Sequence, residues 1–223
     1  MSVKLARRLV EPDHLTGPTW VETYGPEVAE VCAAANFEPD PQQQLALDRI
    51  FAITSSGLSA SFSFCVICCR QNLKTGLFKQ CALGWLFVTE VPLSIWSAHE
   101  MGTTREAHRD LGNLIRDTPA LRRRLKAGSN EGIYDANGEE RIELANGQRL
   151  LFRARTITGG RGLTGDKVIL DEAFALKPSH VGSLLPTMMA REDAQVLYGS
   201  SAGKADSDIL RDVRDRGRAG SSK

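Results

Sequence analysis

The sequence has no long apolar run. It contains no stretch of about 18 consecutive apolar side chains, the length that a helix needs to cross the hydrocarbon core of a bilayer. The N-terminal segment 1–11 is followed by no apolar core of the kind that secretory signals carry. We therefore expect no membrane partner, no secretion and a cytoplasmic location.

The sequence also has almost no net charge. Its 28 Lys and Arg residues against 27 Asp and Glu residues leave +1 at pH 7. Overall charge therefore does not draw this chain to nucleic acid, and any such contact must come from a local patch. The cluster Arg122, Arg123, Arg124 and Lys126 could be that patch, or equally a solvated helix end.

Cysteine is scarce, at five residues. Cys65 and Cys68 have the spacing of half a zinc site, but no second Cys or His pair lies nearby, and on a strand the two thiols would point to opposite faces. We expect buried, reduced thiols instead of a metal site.

The rest of the composition suits one globular domain, with 42% hydrophobic and 25% charged residues. Prolines and glycines among scattered apolar residues predict an extended N-terminal arm over residues 1–37. The main domain is then expected over residues 38–218. Residues 219–223 form a small, polar tail.

The stretch FSFCVICCRQNLKT (62–75) predicts a buried central strand, then a loop, then a helix. In the pattern G-x-x-x-x-G-K-[ST], backbone N–H groups wrap the phosphates of a nucleotide, the lysine reaches the β and γ phosphates and the hydroxyl binds Mg²⁺. Lys74 and Thr75 fill the last two positions, whereas Cys68 and Leu73 occupy the glycine positions. A positive φ at Leu73 would be strained. Alone, this stretch could also be an ordinary strand, turn and basic helix start.

A second apolar run, KVIL (167–170), ends in Asp171 and Glu172. The carboxyl ends of parallel strands form the ligand-binding edge of such sheets. One carboxylate there could hold Mg²⁺ and the other could activate a water, although two acids could also begin a helix. Together with Lys74 and Thr75 they favour a nucleotide site, because each half predicts the other.

The remaining pattern predicts a three-layer α/β fold with a mainly parallel sheet. A strand at 93–98 leads into a helix, and a further strand at 195–202 precedes a helix at 206–218. Two Asn-Gly pairs between residues 133 and 155 predict an antiparallel β-hairpin insertion. We interpret His99 as a loop residue and His108 as a helix-surface residue, since neither has a partner at metal-ligand spacing.

Three further patterns could serve a nucleotide. Gln43 lies in the first turn of a predicted helix, where it could bond an adenine edge or simply be solvated. Arg161 lies in a glycine-rich loop that could carry its guanidinium to the γ-phosphate of a neighbouring subunit. Ser200 and Ser201 end a strand, where their hydroxyls could sense the γ-phosphate.

Five elements occur in the chain in the following order: Gln43, CRQNLKT (69–75), SIWSAHE (94–100), RGLTGDKVILDEA (161–173) and YGSSAG (198–203). In this order they resemble the ATPase domain of the large terminase subunit of tailed bacteriophages, most closely the actinobacteriophage type, over residues 38–218. The resemblance implies an additional-strand, catalytic-glutamate (RecA-like) P-loop NTPase fold with ATP and Mg²⁺ as cofactors. It also implies a homo-oligomeric ring in the host cytoplasm that pumps double-stranded DNA, with the portal protein and the small terminase subunit as partners.

The resemblance further implies roles for single residues. Lys74 and Thr75 would hold the β and γ phosphates and Mg²⁺, Asp171 would complete the metal site, and Glu172 would be the general base. Arg161 would be the arginine finger that acts on a neighbouring subunit. Arg70 would contact the nucleotide of its own subunit. The other implied nucleotide-binding residues are Gln43, Gln71, Asn72 and Leu73. Ser200 and Ser201 would form the coupling motif.

Two alternatives stay open. A helicase-like DNA-dependent ATPase would bring a second RecA-like domain, and a non-catalytic phage assembly protein would tolerate the degenerate loop with Cys68 and Leu73. Large terminases usually also carry a nuclease domain with a carboxylate cluster that binds two metal ions. The acids after Ser201 alternate with arginines, which favours helical ion pairs over a metal cage. We therefore expect no nuclease activity from this chain.

Overall fold

The structure is a computed structural model that describes residues 11–69, 73–136, 138–155 and 165–220. Its strands are β1 (Glu22–Thr23), β2 (Ala52–Ile53), β3 (Ser63–Ile67), β4 (Leu93–Ala98), β5 (Ile133–Tyr134), β6 (Arg141–Glu143), β7 (Arg149–Ala154), β8 (Lys167–Leu170) and β9 (Gln195–Ser200). Strands β1 and β2 form a separate antiparallel pair. The others form one seven-stranded sheet in the order β3-β9-β8-β4-β7-β6-β5.

Helices cover both faces of this sheet. They are α1 (Gly25–Ala34), α2 (Pro41–Ile50), α3 (Lys74–Phe87), α4 (Met101–Asp117), α5 (Pro119–Arg122), α6 (Pro178–Met189) and α7 (Asp208–Arg218), with a 3-10 turn at Ala173–Ala175. Helices α1 to α5 share one apolar core with one face of the sheet. Helices α6 and α7 share a second core with the opposite face. The predicted three-layer α/β architecture is therefore confirmed.

The sheet is parallel from β3 to β7, and β9 lies between β3 and β8. One strand therefore lies between β3, which precedes the predicted phosphate loop, and β8, which precedes Asp171 and Glu172, and this is the arrangement expected of an additional-strand fold. The predicted hairpin insertion is present as β5 and β6, which add antiparallel strands at one edge. Strand β7 pairs antiparallel with β6, as the sequence predicted, but it also pairs in parallel with β4 over its whole length and so belongs to the main sheet.

Strand β3 is not central, as its sequence predicted, but forms one edge of the sheet. Its last residue, Ile67, and Phe62, which directly precedes the strand, each remain 38% exposed. The sequence of β3 contains no charged residue because both faces of the strand are covered. Val66 lies in the first core, and Cys65 packs against the second. The apolar run thus correctly predicted that both faces of the strand are covered. It did not indicate whether the strand has a hydrogen-bonded neighbour on each side.

Residues 25–34 are not extended, as predicted for the N-terminal arm, but form helix α1. Proline at the start of this helix has the backbone geometry of a first helical turn. Val28 and Cys32, four residues apart, are fully buried in the first core. The contact with α3 stabilises a ten-residue helix whose own sequence is only weakly amphipathic.

Gly199 in β9 lets α3 approach the sheet closely, because a Cβ there would overlap the ring of Phe78. We expect Gly199→Ala to lower the free energy of unfolding by about 1–3 kcal/mol, the cost of overpacking a dense core. Gly182→Ala is the matched control, since a Cβ on Gly182 in α6 would meet open space. It should leave stability unchanged or raise it by up to about 1 kcal/mol. Urea unfolding of both variants measures this, and equal midpoints would contradict the close approach.

Candidate functional site

The candidate site lies at the carboxyl edge of the parallel strands. Strand β3 leads into the phosphate-loop segment, β8 leads into Asp171 and Glu172, and β9 ends at Ser200. Since β9 pairs with both β3 and β8, Ser200 lies between the other two elements. The sequence predicted this juxtaposition from the rule for parallel sheets.

Lys74 begins helix α3, and its side chain reaches back to the residues that follow β3. Its Nζ donates to the carbonyl oxygens of Cys68 at 3.1 Å and Cys69 at 3.0 Å. Burial raises the pKa of Asp171, and the positive charge of Lys74 is one of the smaller effects that oppose this rise. The structure therefore brings together the predicted phosphate-binding lysine and the predicted metal-binding carboxylate.

Leu73, directly before α3, has a φ of 47° and a ψ of −55°. A side chain with a Cβ is disfavoured in this region, so the strain expected at a glycine position of the loop is present. Thr75 is exposed in the first helical turn, where helix N–H groups have no partner within the helix. Arg70, Gln71 and Asn72 lie outside the described residues.

Gln43 lies against the start of α3. Its Oε1 accepts hydrogen bonds from the Asp40 N–H at 2.9 Å and from Gln80 Nε2 at 3.1 Å. Its Nε2 lies 3.5 Å from the carbonyl oxygen of Leu73, and a Cβ at Gly76 would come within 2.5 Å of that nitrogen. Gln43 is thus next to the loop, and its adenine contact stays a prediction.

Asp171 is buried, with 6% of its surface exposed. Burial raises its pKa, although a hydrogen bond to its own side chain from the Glu172 N–H at 2.8 Å opposes this. Glu172 is half-buried, and its backbone is in the left-handed region with a φ of 52°. Its Oε2 accepts a hydrogen bond from the His99 N–H at 3.0 Å. The Asp171 carboxylate is therefore fixed in the interior, whereas the Glu172 carboxylate is held closer to the surface, at the carboxyl edge of the sheet.

Ser200 connects the two halves of the site. Its carbonyl oxygen accepts a hydrogen bond from the Cys68 N–H at 3.1 Å, and its Oγ accepts one from the Phe174 N–H at 3.1 Å. The first contact reaches the start of the phosphate loop and the second reaches the turn after Glu172. Ser201 is half-exposed beside it.

Two contributors were missed by sequence reasoning. His99 supports Glu172 through its main chain, which no side-chain pattern reports. Arg155 is buried beside both carboxylates and donates to the carbonyl oxygen of Asp171 at 2.5 Å. A single arginine at the end of a strand matches no motif, so only the pairing of β4 with β7 and β8 reveals it. Arg161 lies outside the described residues.

His108 is not a helix-surface residue, as predicted, but is 2% exposed. Its ring meets Phe152 edge-on at 5.0 Å between centroids, and burial lowers its pKa. Among the residues that the structure describes, no group of three or more His, Cys, Asp or Glu side chains could hold a metal ion.

The basic cluster near residue 122 is divided between two environments. Arg124 donates to the Phe87 carbonyl oxygen and pairs with Glu90, and Lys126 pairs with Glu143. Arg122 and Arg123 are exposed. Half of this cluster is therefore engaged in contacts within the chain.

No protein-family model and no curated protein sequence matches this chain. Its fold is similar to the crystal structure of the HK97 bacteriophage large terminase, with a TM-score of 0.70 at 16% identity, over 90% of this chain and 42% of that chain. The ATPase domain of the large terminase of Thermus phage P74-26 has a TM-score of 0.55 at 17% identity, over 78% of this chain and 68% of that chain. Dbp5 of S. cerevisiae, bound to RNA and ADP BeF3, has a TM-score of 0.51 at 14% identity, over 89% of this chain and 50% of that chain.

These similarities confirm, at the level of the fold, the resemblance to phage large terminase ATPase domains and the P-loop NTPase architecture. The chain spans less than half the length of the HK97 protein. No helix in the described ranges is long and apolar enough to cross a bilayer.

Proposed function

We propose that this chain is the ATP-hydrolysing motor domain of a phage terminase large subunit and couples hydrolysis to translocation of DNA into the capsid. The observation that carries this proposal is the convergence of Lys74, Asp171, Glu172 and Ser200 at one edge of a terminase-like sheet. A phosphate-binding lysine, a carboxylate for the metal ion and a second carboxylate as base are among the groups that nucleoside triphosphate hydrolysis uses.

The residues at this edge fit ATP and Mg²⁺. The exposed hydroxyl of Thr75 and the carboxylate of Asp171 are oxygen ligands of the kind that Mg²⁺ prefers. The start of α3 offers N–H groups and the positive end of a helix to phosphate oxygens. When bound, Mg²⁺ neutralises charge on the phosphates. Lys74 adds a second positive charge and can exchange its two carbonyl acceptors for phosphate oxygens.

Glu172 acts as the general base in this proposal. Its carboxylate is fixed by the His99 N–H and is half-buried, so it can accept a proton from a water aligned with the γ-phosphate. Arg161 acts from a neighbouring subunit, Gln43 contacts the adenine, and Ser200 and Ser201 couple the phosphate loop to the carboxylate turn. The other proposed nucleotide contacts are Arg70, Gln71, Asn72 and Leu73.

The proposed partners follow from the same function. They are double-stranded DNA, further copies of this chain in a ring, the portal protein and the small terminase subunit, all in the cytoplasm of the host. Arg122 and Arg123 are exposed and are available to contact DNA phosphates. Because the chain as a whole is nearly neutral, DNA contacts must come from such local basic residues.

Steady-state ATPase measurements test the function. We expect Mg²⁺-dependent hydrolysis by the purified chain that double-stranded DNA stimulates more than single-stranded RNA does. Stimulation by RNA instead would favour a helicase-like ATPase. No hydrolysis with either nucleic acid would favour the non-catalytic assembly protein.

A further inference from the structure

Arg155 is a buried arginine whose guanidinium bonds only to main-chain carbonyl groups in the described parts of the chain. It directly follows β7, is 7% exposed, and its own N–H donates to the Ala98 carbonyl oxygen at 2.9 Å. Nη1 donates to the Ser97 carbonyl oxygen at 2.9 Å. Nη2 donates to the carbonyl oxygens of Asp171 at 2.5 Å and Glu172 at 3.2 Å. One side chain thus joins the ends of three neighbouring strands, β4, β7 and β8.

Burying this cation is unfavourable. Removal of a charged group from water costs free energy unless partners replace the water. Burial accordingly lowers the pKa of Arg155 to about 10, and the negative charges of Glu172 and Asp171 oppose this effect. Arg155 therefore remains a cation at neutral pH, beside both carboxylates of the candidate site. Its Nε is also buried and has no hydrogen-bond partner in the part of the chain that the structure describes.

The contacts of Arg155 converge with others on the same turn. The Ser97 carbonyl oxygen also accepts a hydrogen bond from the Asp171 N–H, at 2.8 Å. The next residues of β4 lead to His99, whose N–H holds the Glu172 carboxylate at 3.0 Å. Glu172 has a left-handed backbone, which a residue with a side chain rarely adopts without support from its surroundings. Arg155 supplies part of that support. Its Nη2 holds the carbonyl groups of Asp171 and Glu172, which lie on either side of the Glu172 Cα atom.

We propose that Arg155 is a positioning residue for ATP hydrolysis, which fixes the Asp171–Glu172 turn against the end of β4 and so orients the Glu172 carboxylate. This role rests on the function proposed above. A guanidinium suits this role because its donors are held in a rigid plane on separate nitrogens, whereas the donors of a lysine share one nitrogen at the end of a flexible chain. Displacement of a catalytic group by about 1 Å can lower turnover by about 10²-fold without changing substrate binding.

Arg155→Met, which keeps the length of the side chain and removes its donors, tests this role. We expect kcat to fall by about 10- to 100-fold while KM for ATP·Mg²⁺ changes by less than about twofold. Arg155→Lys should lie between this variant and the wild type, since it keeps the charge and loses the fork. Arg153→Met is the matched control on the same strand, because Arg153 donates to the carbonyl oxygens of Phe152 and Glu140 instead of the carboxylate turn. It should keep the wild-type kcat.

Amide hydrogen exchange gives a readout that does not depend on activity. In Arg155→Met we expect faster exchange at the His99 and Glu172 amides, whose hydrogen bonds hold the turn, and unchanged exchange at Leu197 in the middle of β9. A uniform rise across the sheet, with KM rising as kcat falls, would show a purely structural role and overturn the proposal. If Arg155→Met does not fold, Arg155→Lys decides, and a wild-type kcat in that variant contradicts the proposal.

The two proposals fail differently. A wild-type chain without ATPase activity would overturn the proposed function and the role of Arg155 with it. An active wild type combined with a folded Arg155→Met variant of unchanged kcat and unchanged exchange would overturn the role of Arg155 alone.

Discussion

Lys74→Ala should reduce ATP hydrolysis by roughly 10³-fold, to background, because the ammonium is the positive charge that stabilises the β and γ phosphates in the transition state. In the structure the Nζ of Lys74 donates to the carbonyl oxygens of Cys68 and Cys69, and its positive charge acts on Asp171. Truncation removes that charge and leaves the first turn of α3 in place, since alanine is a good helix former. Nucleotide binding should weaken as well.

Lys79→Ala is the matched control for this substitution. Lys79 lies on the same helix, five residues further on, and its Nζ pairs with Asp110 at 2.7 Å. Its loss should cost a small amount of stability, about 1 kcal/mol or less for a partly exposed pair, and leave turnover near the wild-type rate. Steady-state ATPase and binding of a fluorescent ATP analogue measure both variants. Undiminished turnover in Lys74→Ala would rule out the phosphate-loop assignment.

The parts of the fold that depend on neighbouring residues in sequence were predictable. Strand β4 has the bounds that its apolar run predicted, 93–98, and α3 begins at Lys74, directly after the loop. The convergence of Lys74 with Asp171 also followed from the sequence, because the carboxyl ends of parallel strands always meet at one edge. Two separate half-motifs therefore predicted one candidate site.

The parts that depend on distant partners were not predictable. The position of β3 at the sheet edge is set by β9, which is more than 100 residues later in the chain and pairs with only one of its sides. Helix α1 is fixed by its burial against α3, and His108 is buried because β6 and β7 cover that face of α4. Such contacts are decided by tertiary packing, which outweighs local propensity.

The same reason explains which site residues were missed. The side chain of Arg155 donates to a main-chain carbonyl oxygen of the carboxylate turn, and the main-chain N–H of His99 donates to the Glu172 carboxylate. A sequence pattern reports side chains at fixed spacing, whereas these contacts depend on which strands lie side by side. In contrast, the strain at Leu73 was foreseeable, since a non-glycine residue replaced a glycine in a loop of known geometry.

Glu172→Gln is expected to lower turnover by roughly 10² or more while ATP and Mg²⁺ still bind, because the amide cannot accept the proton of the attacking water. The amide oxygen can still accept the hydrogen bond from the His99 N–H, so the geometry of the turn should be preserved. Asp171, the proposed metal ligand, keeps its carboxylate and its bond from the residue 172 N–H. The expected result is therefore a loss of kcat alone.

A matched control for Glu172→Gln is Glu90→Gln. Glu90 also has a positive φ, of 50°, and its carboxylate also accepts one hydrogen bond, from Arg124 at 2.7 Å. It precedes β4 and so lies at the amino edge of the sheet, opposite the candidate site. Glu90→Gln should keep its turnover, and single-turnover hydrolysis with parallel nucleotide-binding measurements compares the two variants. Loss of nucleotide or Mg²⁺ binding in Glu172→Gln would make Glu172 a metal ligand, and undiminished turnover would show that another group is the base.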